Sequence, residues 1–393
     1  MAAEGPSKEM TSRQGEPEDL EGTSFYSILS KFDWKQVEDT ITTSTMQSVE
    51  RALSKKENIN IEDFAALISP AAAPYLEAMA KKSREITLRR FGKAIQLYLP
   101  LYLSNDCTNS CVYCGFNCHN NIERKVLSTS EILAEIEAIK KLGPFEHILL
   151  VTGENNQNAG FEYLVNAVNL CHKHFSAVSI EIQPLVTEEY AELAKNGVTA
   201  VYIYQETYRE ESYRQHHPGG KKSIFEHRLH CPDRVGMAGV RKIGIGALLG
   251  LENWRADSFF TALHLSYLQK TYWKCKFSVS FPRLRPFEGQ SFELCTPSDR
   301  ELVQLMCAYR ICFPDAEISL STRESAGFRD KAMMLGLTTM SAGSRTNPGG
   351  YEVSRTELSQ WEVNDSRSPS EIQEKIKENG YDPVWKDWDA ALE

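Results

Sequence analysis

The sequence predicts an α/β protein centred on a closed (β/α)8 barrel of the TIM type, with an N-terminal helical extension and a C-terminal helical tail. The first observation behind this is alternation: eight short apolar runs lie between residues 94 and 344, and a helical pattern follows each of the first seven. Such alternation builds right-handed βαβ units and a parallel sheet. The second is their number, since eight repeats over ~250 residues suit barrel closure. The third is position: polar and sulfur-bearing residues gather just past the ends of the runs, where this fold keeps its active site. A doubly wound open sheet is the runner-up.

The elements follow in order. Residues 1–22 are polar, mix Gly, Pro and both charge signs, and lack the apolar centre of a secretory signal. They read as a disordered lead-in. From 23 to 93, apolar residues recur at three- and four-residue spacing in SFYSILSKFDW, TSTMQSVERALSKK and IEDFAALISPAAAPYLEAMAKKSREITLRRFG, which predicts helices. The barrel runs are IQLYLPLYLS, HILLVTGE, VSIEIQPL, TAVYIYQET, IGIGALLGL, FSVSFPRLRPF, EISLSTRE and LTTMSAG. Between the first two, Ser128 and Glu131 form a capping box and Gly143 a C-terminal stop around STSEILAEIEAIKKLG. Residues 345–393 read as a loop and helical tail packed on the barrel.

Composition narrows the function. Hydrophobic residues make up 41% of the chain, enough for a sizeable core. A net charge of −9, with no basic run interleaved with aromatics, speaks against a nucleic-acid surface. No apolar run reaches ~18 residues, so no membrane span is expected. Ten cysteines, mostly scattered singly, do not look like a disulfide framework and point to a reducing, cytoplasmic setting.

The first run leads into CTNSCVYCGF at 107–116, three thiols within eight residues. A structural zinc site asks for four protein ligands, and Cys118 or His119 would have to complete it. A 4Fe–4S cluster on Cys107, Cys111 and Cys114 instead leaves one iron open for a chelating ligand that receives an electron.

The C-x3-C-x-aromatic-C pattern resembles the signature of radical S-adenosyl-L-methionine (SAM) enzymes, commonly built on full or partial (β/α)8 barrels. The resemblance implies a 4Fe–4S cluster on those three cysteines, with the methionyl amine and carboxylate of SAM on the open iron. One-electron cleavage of the C5′–S bond then leaves a 5′-deoxyadenosyl radical. Thr152-Gly153-Glu154 stands where the family carries Gly-Gly-Glu, keeping the carboxylate that holds the methionyl amine. Tyr113 and the fifth-run Gly244-Ile245-Gly246 fall where the family contacts adenine.

From about residue 24 onward the blocks PLYLSNDCTNSCVYCGF, NNIERKVLS, VTGE, EIQPL, YQETY, GIGALLGLENWR, VSFPRLRP, STRE and MSAGSRTNPGGY are similar to the 2-iminoacetate synthase family, the tyrosine lyases of thiamine-thiazole biosynthesis. A sibling family, which matures the iron-only hydrogenase cofactor, carries a further C-terminal C-x2-C element. Here the last cysteine is Cys312, which favours the thiamine branch. The resemblance implies hydrogen abstraction from the amino nitrogen of L-tyrosine and scission of its Cα–Cβ bond, giving 2-iminoacetate and p-cresol. It also implies a thiazole synthase as recipient and a flavodoxin or ferredoxin as electron donor. A relative acting on another aromatic amino acid, such as tryptophan, and a zinc-stabilised structural protein are the alternatives.

An amino-acid substrate needs a carboxylate anchor. Arg323, in Ser321-Thr322-Arg323-Glu324, is the candidate, because a guanidinium binds carboxylate in a bidentate fork. Ser321 and Ser341 would add hydrogen bonds; a salt bridge from Arg323 to Glu324 or Glu206 is the competing reading. Glu181, Gln183 and Glu206 are candidates for the ribose or the charged ends of the cofactor. Arg283 and Arg285 are candidates too, or else rim ion pairs. Cys118 is read as an incidental thiol, His216-His217 as surface loop, and His264 as a packed or rim residue.

Overall fold

The computed structural model describes residues 24–285, 295–352 and 359–386. The lead-in at 1–22, the end of the sixth run beyond Arg285 and the last residues of the tail lie outside the described residues. Eight parallel strands form the centre: β1 (Ala94–Ser104), β2 (His147–Thr152), β3 (Ala177–Glu181), β4 (Val198–Tyr202), β5 (Lys242–Gly246), β6 (Lys276–Ser280), β7 (Glu317–Leu320) and β8 (Thr339–Ser341). They pair in sequence order, and β1 pairs with both β2 (Leu99 opposite Ile148) and β8 (Gln96 opposite Thr339). That double pairing closes the barrel and excludes the open sheet. Every apolar run contains one strand.

Strand periodicity divides the core in two. In β1, Ile95, Leu97, Leu99, Leu101 and Leu103 join the large cluster shared with the surrounding helices. The alternate residues Tyr98, Pro100 and Tyr102 face the cavity inside the barrel. The helix Thr129–Leu142 begins as its capping box dictates: Ser128 N–H donates to the Glu131 carboxylate (2.8 Å), and the Ser128 hydroxyl accepts from Glu131 N–H. The Ser128 N–H, with Lys125 beside it, pulls the Glu131 carboxyl down to about 2.

The N-terminal helices pack on the helices that follow β5 and β6. Phe25 stacks on His264 (ring centres 3.9 Å apart), and Phe64 meets Tyr309 edge-on at 4.8 Å. Burying one such ring contributes about 2–3 kcal/mol. His264 is therefore a packed residue, and burial pushes its imidazole down to about 3.

The tail holds a helix, Pro369–Glu378, and a strand the sequence reading lacks, β9 (Asp382–Val384). β9 runs parallel to the start of β1, with Ala94 opposite Asp382, on the side where β2 pairs higher up. Three residues around a proline give no periodic signal, so only the exposed backbone of β1 specifies this strand.

Candidate active site

The loop after β1 is held by side chains that bind its backbone. The Arg124 guanidinium donates to the carbonyls of Asn105, Phe116, Asn117 and Asn120 at 2.7–3.0 Å. Asn117 donates to Cys111 O (3.0 Å) and Asn120 to Gly115 O (3.0 Å). These contacts fix the path of the segment carrying Cys107, Cys111 and Cys114. Cys111 is buried, Cys107 and Cys114 are half-buried, and Cys118 is exposed. Burial pushes all three loop thiols up, and at Cys111 and Cys114 the neighbouring thiols add to the rise. Loading a metal centre there therefore releases protons.

Among the described residues no three His, Cys, Asp or Glu side chains already stand at metal-coordinating spacing, so the loop supplies donors and not a finished cage. The donor chemistry nonetheless fits an iron–sulfur cluster: three thiols share one ordered loop beside an open cavity.

β2 closes on this loop without room to spare. A Cβ on Gly153 would lie 2.2 Å from the Asp106 carbonyl oxygen, while Gly153 N–H donates to Ser104 O (2.8 Å). Glu154 O accepts from the N–H and the hydroxyl of Thr108 (3.0 and 2.9 Å). Gly153→Ala is expected to cost about 1–3 kcal/mol through overpacking against backbone. Thermal unfolding and iron bound after reconstitution should both fall together; an unchanged iron content would refute this role for the glycine.

A charged network faces the same cavity. Arg228 Nη1 lies 3.1 Å from Glu154 Oε1, and Asn109 donates to Glu154 Oε2 (2.8 Å). Lys222 Nζ lies 2.7 Å from Glu206 Oε1, with Arg228 Nη2 at 3.6 Å. Burial alone would raise the Glu206 carboxyl, but Lys222 and Arg228 hold it below its ordinary range. Glu206 also has a left-handed backbone (φ 71°), worth about 1–3 kcal/mol of strain for a non-glycine. The buried Asp257 holds the turn there, accepting from the Thr207 hydroxyl (2.9 Å) and Tyr208 N–H (2.8 Å).

Arg323 opens into the cavity from the end of β7, its guanidinium 4.3 Å from the centre of the Trp361 ring. It forms no ion pair among the described residues, and burial pulls its pKa down. Glu324 is taken by Arg283, in a bidentate pair, and by Arg285 (2.9 Å). Glu206 is taken as described. The salt-bridge reading of Arg323 therefore fails, and Arg283 and Arg285 are the rim ion pairs. Ser321 and Ser341 line the cavity, but their hydroxyls also accept backbone N–H groups, from Arg323 (3.3 Å) and Thr322 (3.0 Å).

Other candidates are placed differently. Tyr113, Thr152, Glu154, Glu181 and Glu206 line the cavity. Gln183 sits behind Thr152 (3.4 Å) and donates to Ala159 O (3.3 Å), away from the cavity. Gly244 makes room for the Tyr202 ring, which a Cβ would meet at 2.1 Å, while a Cβ on Gly246 would meet the Ser280 carbonyl oxygen at 2.5 Å and the Tyr204 ring at 3.0 Å. Ile245 belongs to the outer core.

His216 and His217 are buried, not surface residues. His217 Nδ1–H donates to Tyr213 O (2.7 Å), so Nε2 accepts the Tyr113 hydroxyl (2.7 Å). Burial, with Lys222 nearby, pushes His217 down to about 2, so it stays neutral and anchors Tyr113. The polar Pro-Gly-Gly context pointed outward, but this segment folds back against the cysteine loop, with Val112 N–H donating to His216 O (3.1 Å).

Lys222, Arg228, Arg124, Gln360 and Trp361 carried no signal in the sequence. Gln360 accepts the Tyr102 hydroxyl (2.7 Å), and its carbonyl accepts Gly115 N–H (3.3 Å). The C-terminal segment thus lies over both the cavity and the cysteine loop.

Barrel and loop together define a radical SAM protein. Residues 101–260 match the Radical SAM superfamily, and residues 280–382 match the Biotin and Thiamin Synthesis associated domain. The chain is 46% identical over 363 residues to the 2-iminoacetate synthases of Escherichia coli (strain K12) and Salmonella typhimurium, covering 92% of this chain and 96% of each relative. It belongs to the 2-iminoacetate synthase family. Among solved structures it resembles the FeFe-hydrogenase maturase HydG from Carboxydothermus hydrogenoformans. The TM-score is 0.80 at 30% identity, over 92% of this chain and 83% of that one. Methylornithine synthase, at 20% identity and a TM-score of 0.69, shares the fold.

Proposed function

We infer that this chain is a radical SAM carbon–carbon lyase that splits L-tyrosine at Cα–Cβ into 2-iminoacetate and p-cresol. SAM yields methionine and 5′-deoxyadenosine, and the iminoacetate feeds the thiazole moiety of thiamine. Cys107, Cys111 and Cys114 would hold the 4Fe–4S cluster, which with SAM supplies one-electron cleavage of the C5′–S bond and the hydrogen-abstracting group. The observation that carries the substrate reading is Arg323, half-buried and without an ion pair among the described residues, in the cavity that begins at the cysteine loop. A guanidinium drawn partly out of water with no carboxylate beside it is disfavoured, and a bound carboxylate relieves that.

The remaining residues position and enclose. Tyr98, Tyr102, Tyr202 and Tyr204 wall the cavity, and Gln360 and Trp361 cover it, so that water is kept from the reacting atoms. Glu154, oriented by Arg228 and Asn109, presents a carboxylate beside the loop for the methionyl amine.

The readily hydrolysed product favours direct transfer to a thiazole synthase, and a flavodoxin or ferredoxin is the fitting electron source. Cys107, Cys111, Cys114 and the buried Cys171, Cys231 and Cys307 are thiols and not disulfides, in keeping with a cytoplasmic setting. No helix among the described residues is long and apolar enough to cross a membrane.

The test is anaerobic turnover of reconstituted protein with SAM, dithionite and either L-tyrosine or L-tryptophan, read by mass spectrometry. p-Cresol with 5′-deoxyadenosine from tyrosine is expected. Deoxyadenosine without p-cresol would overturn tyrosine as substrate.

A further inference from the structure

Two charged side chains facing the cavity make no ion pair and no side-chain hydrogen bond among the described residues. One is Arg323. The other is Glu181, the last residue of β3, whose carboxylate makes no side-chain hydrogen bond or ion pair there. By contrast Glu154, Glu206 and Glu324 are all engaged by cations. β3 and β7 stand four strands apart in the eight-stranded ring, so Glu181 and Arg323 project from opposite walls. Each influences the other electrostatically, yet no ion pair joins them. An unpaired anion and an unpaired cation across one cavity are complementary to a zwitterion lying between them.

We propose that Glu181 binds the α-ammonium of the amino-acid substrate and takes one proton from it, so that the nitrogen reacts as a neutral amine. The proposal rests on the lyase reading above and moves Glu181 from the cofactor to the substrate. The step is a proton transfer only. The substrate –NH3+ becomes –NH2, the Glu181 carboxylate becomes the acid, and no electron moves. Chemistry calls for it, because removing a hydrogen atom from –NH2 leaves a neutral radical beside a lone pair. Removing one from –NH3+ leaves a cation with no lone pair to stabilise it.

The surroundings leave Glu181 free for this task. Burial, and then the neighbouring Glu206 charge, raise its carboxyl to about 7 against the pull of Lys222, Arg228 and Arg323. It can therefore take up a proton near neutral pH. Glu206 is held ionised by Lys222 and Arg228. Desolvation in the cavity wall pushes the hydroxyls of Tyr98, Tyr102 and Tyr204 above their ordinary range, so they do not compete as bases.

The experiment compares the wild type with Glu181→Gln, both cluster-loaded and held with SAM under anaerobic conditions. Binding of L-tyrosine and of 3-(4-hydroxyphenyl)propionate, which lacks the amine, is measured for each, together with SAM affinity and p-cresol formation from pH 6 to 9. The variant should lose about 10–100-fold of the preference for tyrosine over the amine-free acid. Its binding of that acid and of SAM should stay within about threefold, and p-cresol formation should fall by at least the loss in preference. The wild-type rate should rise through a pKa near 7 that the variant lacks. An unchanged preference overturns the proposal, as does a parallel loss of SAM affinity, which would return Glu181 to the cofactor. If the wild type makes no p-cresol, the lyase reading fails, and the amine preference is then decided by the binding data alone.

Discussion

Arg323→Lys is expected to lower kcat/KM for L-tyrosine by about 10²–10³-fold while leaving the affinity for SAM within about threefold. The side chain lies at the end of β7, lines the cavity and finds no carboxylate among the described residues, because Arg283 and Arg285 occupy Glu324 while Lys222 and Arg228 occupy Glu206. On the function proposed above, a substrate carboxylate is the anion it would bind. Truncating one member of a buried charge pair costs about 2–5 kcal/mol, and each 1.4 kcal/mol is tenfold. Lysine keeps the charge but replaces a rigid fork with a point donor. It also gives up the guanidinium's place over the Trp361 ring, 4.3 Å from its centre, where the delocalised cation is held against the aromatic face. Misorientation moves the substrate nitrogen, and selective abstraction depends on that position. Steady-state p-cresol formation at varied tyrosine, with SAM saturating, gives the number. A fall of less than threefold would show that the carboxylate binds elsewhere.

What the sequence discloses and what it hides follow from the same physics. Strand periodicity, a capping box and chemistry at strand ends are local, so the eight strands, the start of the helix at Thr129 and the cysteine loop could all be read from residue order. Arg323 was legible because it lies just past the end of a strand. Lys222 and Arg228 lie in the excursion between β4 and β5, and nothing nearby marks them as reaching back to Glu154 and Glu206. Arg124 looks like an ordinary exposed cation until its four carbonyl partners are seen. Trp361 and Gln360 meet β1 and the cysteine loop from about 250 residues away. No periodicity spans that separation. The two glycines of β5 show the converse: a motif can be local and visible while the contact it serves, here the rings of Tyr202 and Tyr204 and the Ser280 carbonyl, remains hidden.

Arg228→Met should be the most damaging change outside the cysteine loop, because one guanidinium serves three acceptors. It reaches Glu154 (3.1 Å), Glu206 (3.6 Å) and the Tyr204 carbonyl (2.6 Å), with its side chain only 7% exposed. Removing it leaves Glu154 without an ion-pair partner and Glu206 dependent on Lys222 alone. Breaking a buried pair costs about 3–5 kcal/mol. SAM-dependent turnover should fall more than about 10³-fold, because Glu154 then loses its orientation beside the loop.

The pH dependence supplies a second signature. In the wild type the folded pKa of Glu206 is depressed, so its contribution to stability is present above the ordinary carboxylate value of about 4.3 and is lost as pH falls through the folded value. Without Arg228, burial gains weight against Lys222 and the folded pKa rises. If it passes the unfolded value, the sign reverses, and stability falls as pH climbs between the two. The stability deficit of Arg228→Met should therefore shrink between pH 7.5 and pH 5.5, measured by thermal unfolding of cluster-free protein. Arg228→Lys should recover part of the stability but not the turnover, since a single ammonium cannot hold both carboxylates and the carbonyl in register. A deficit that does not change with pH would mean that Arg228 acts through packing and not through the charge of Glu206.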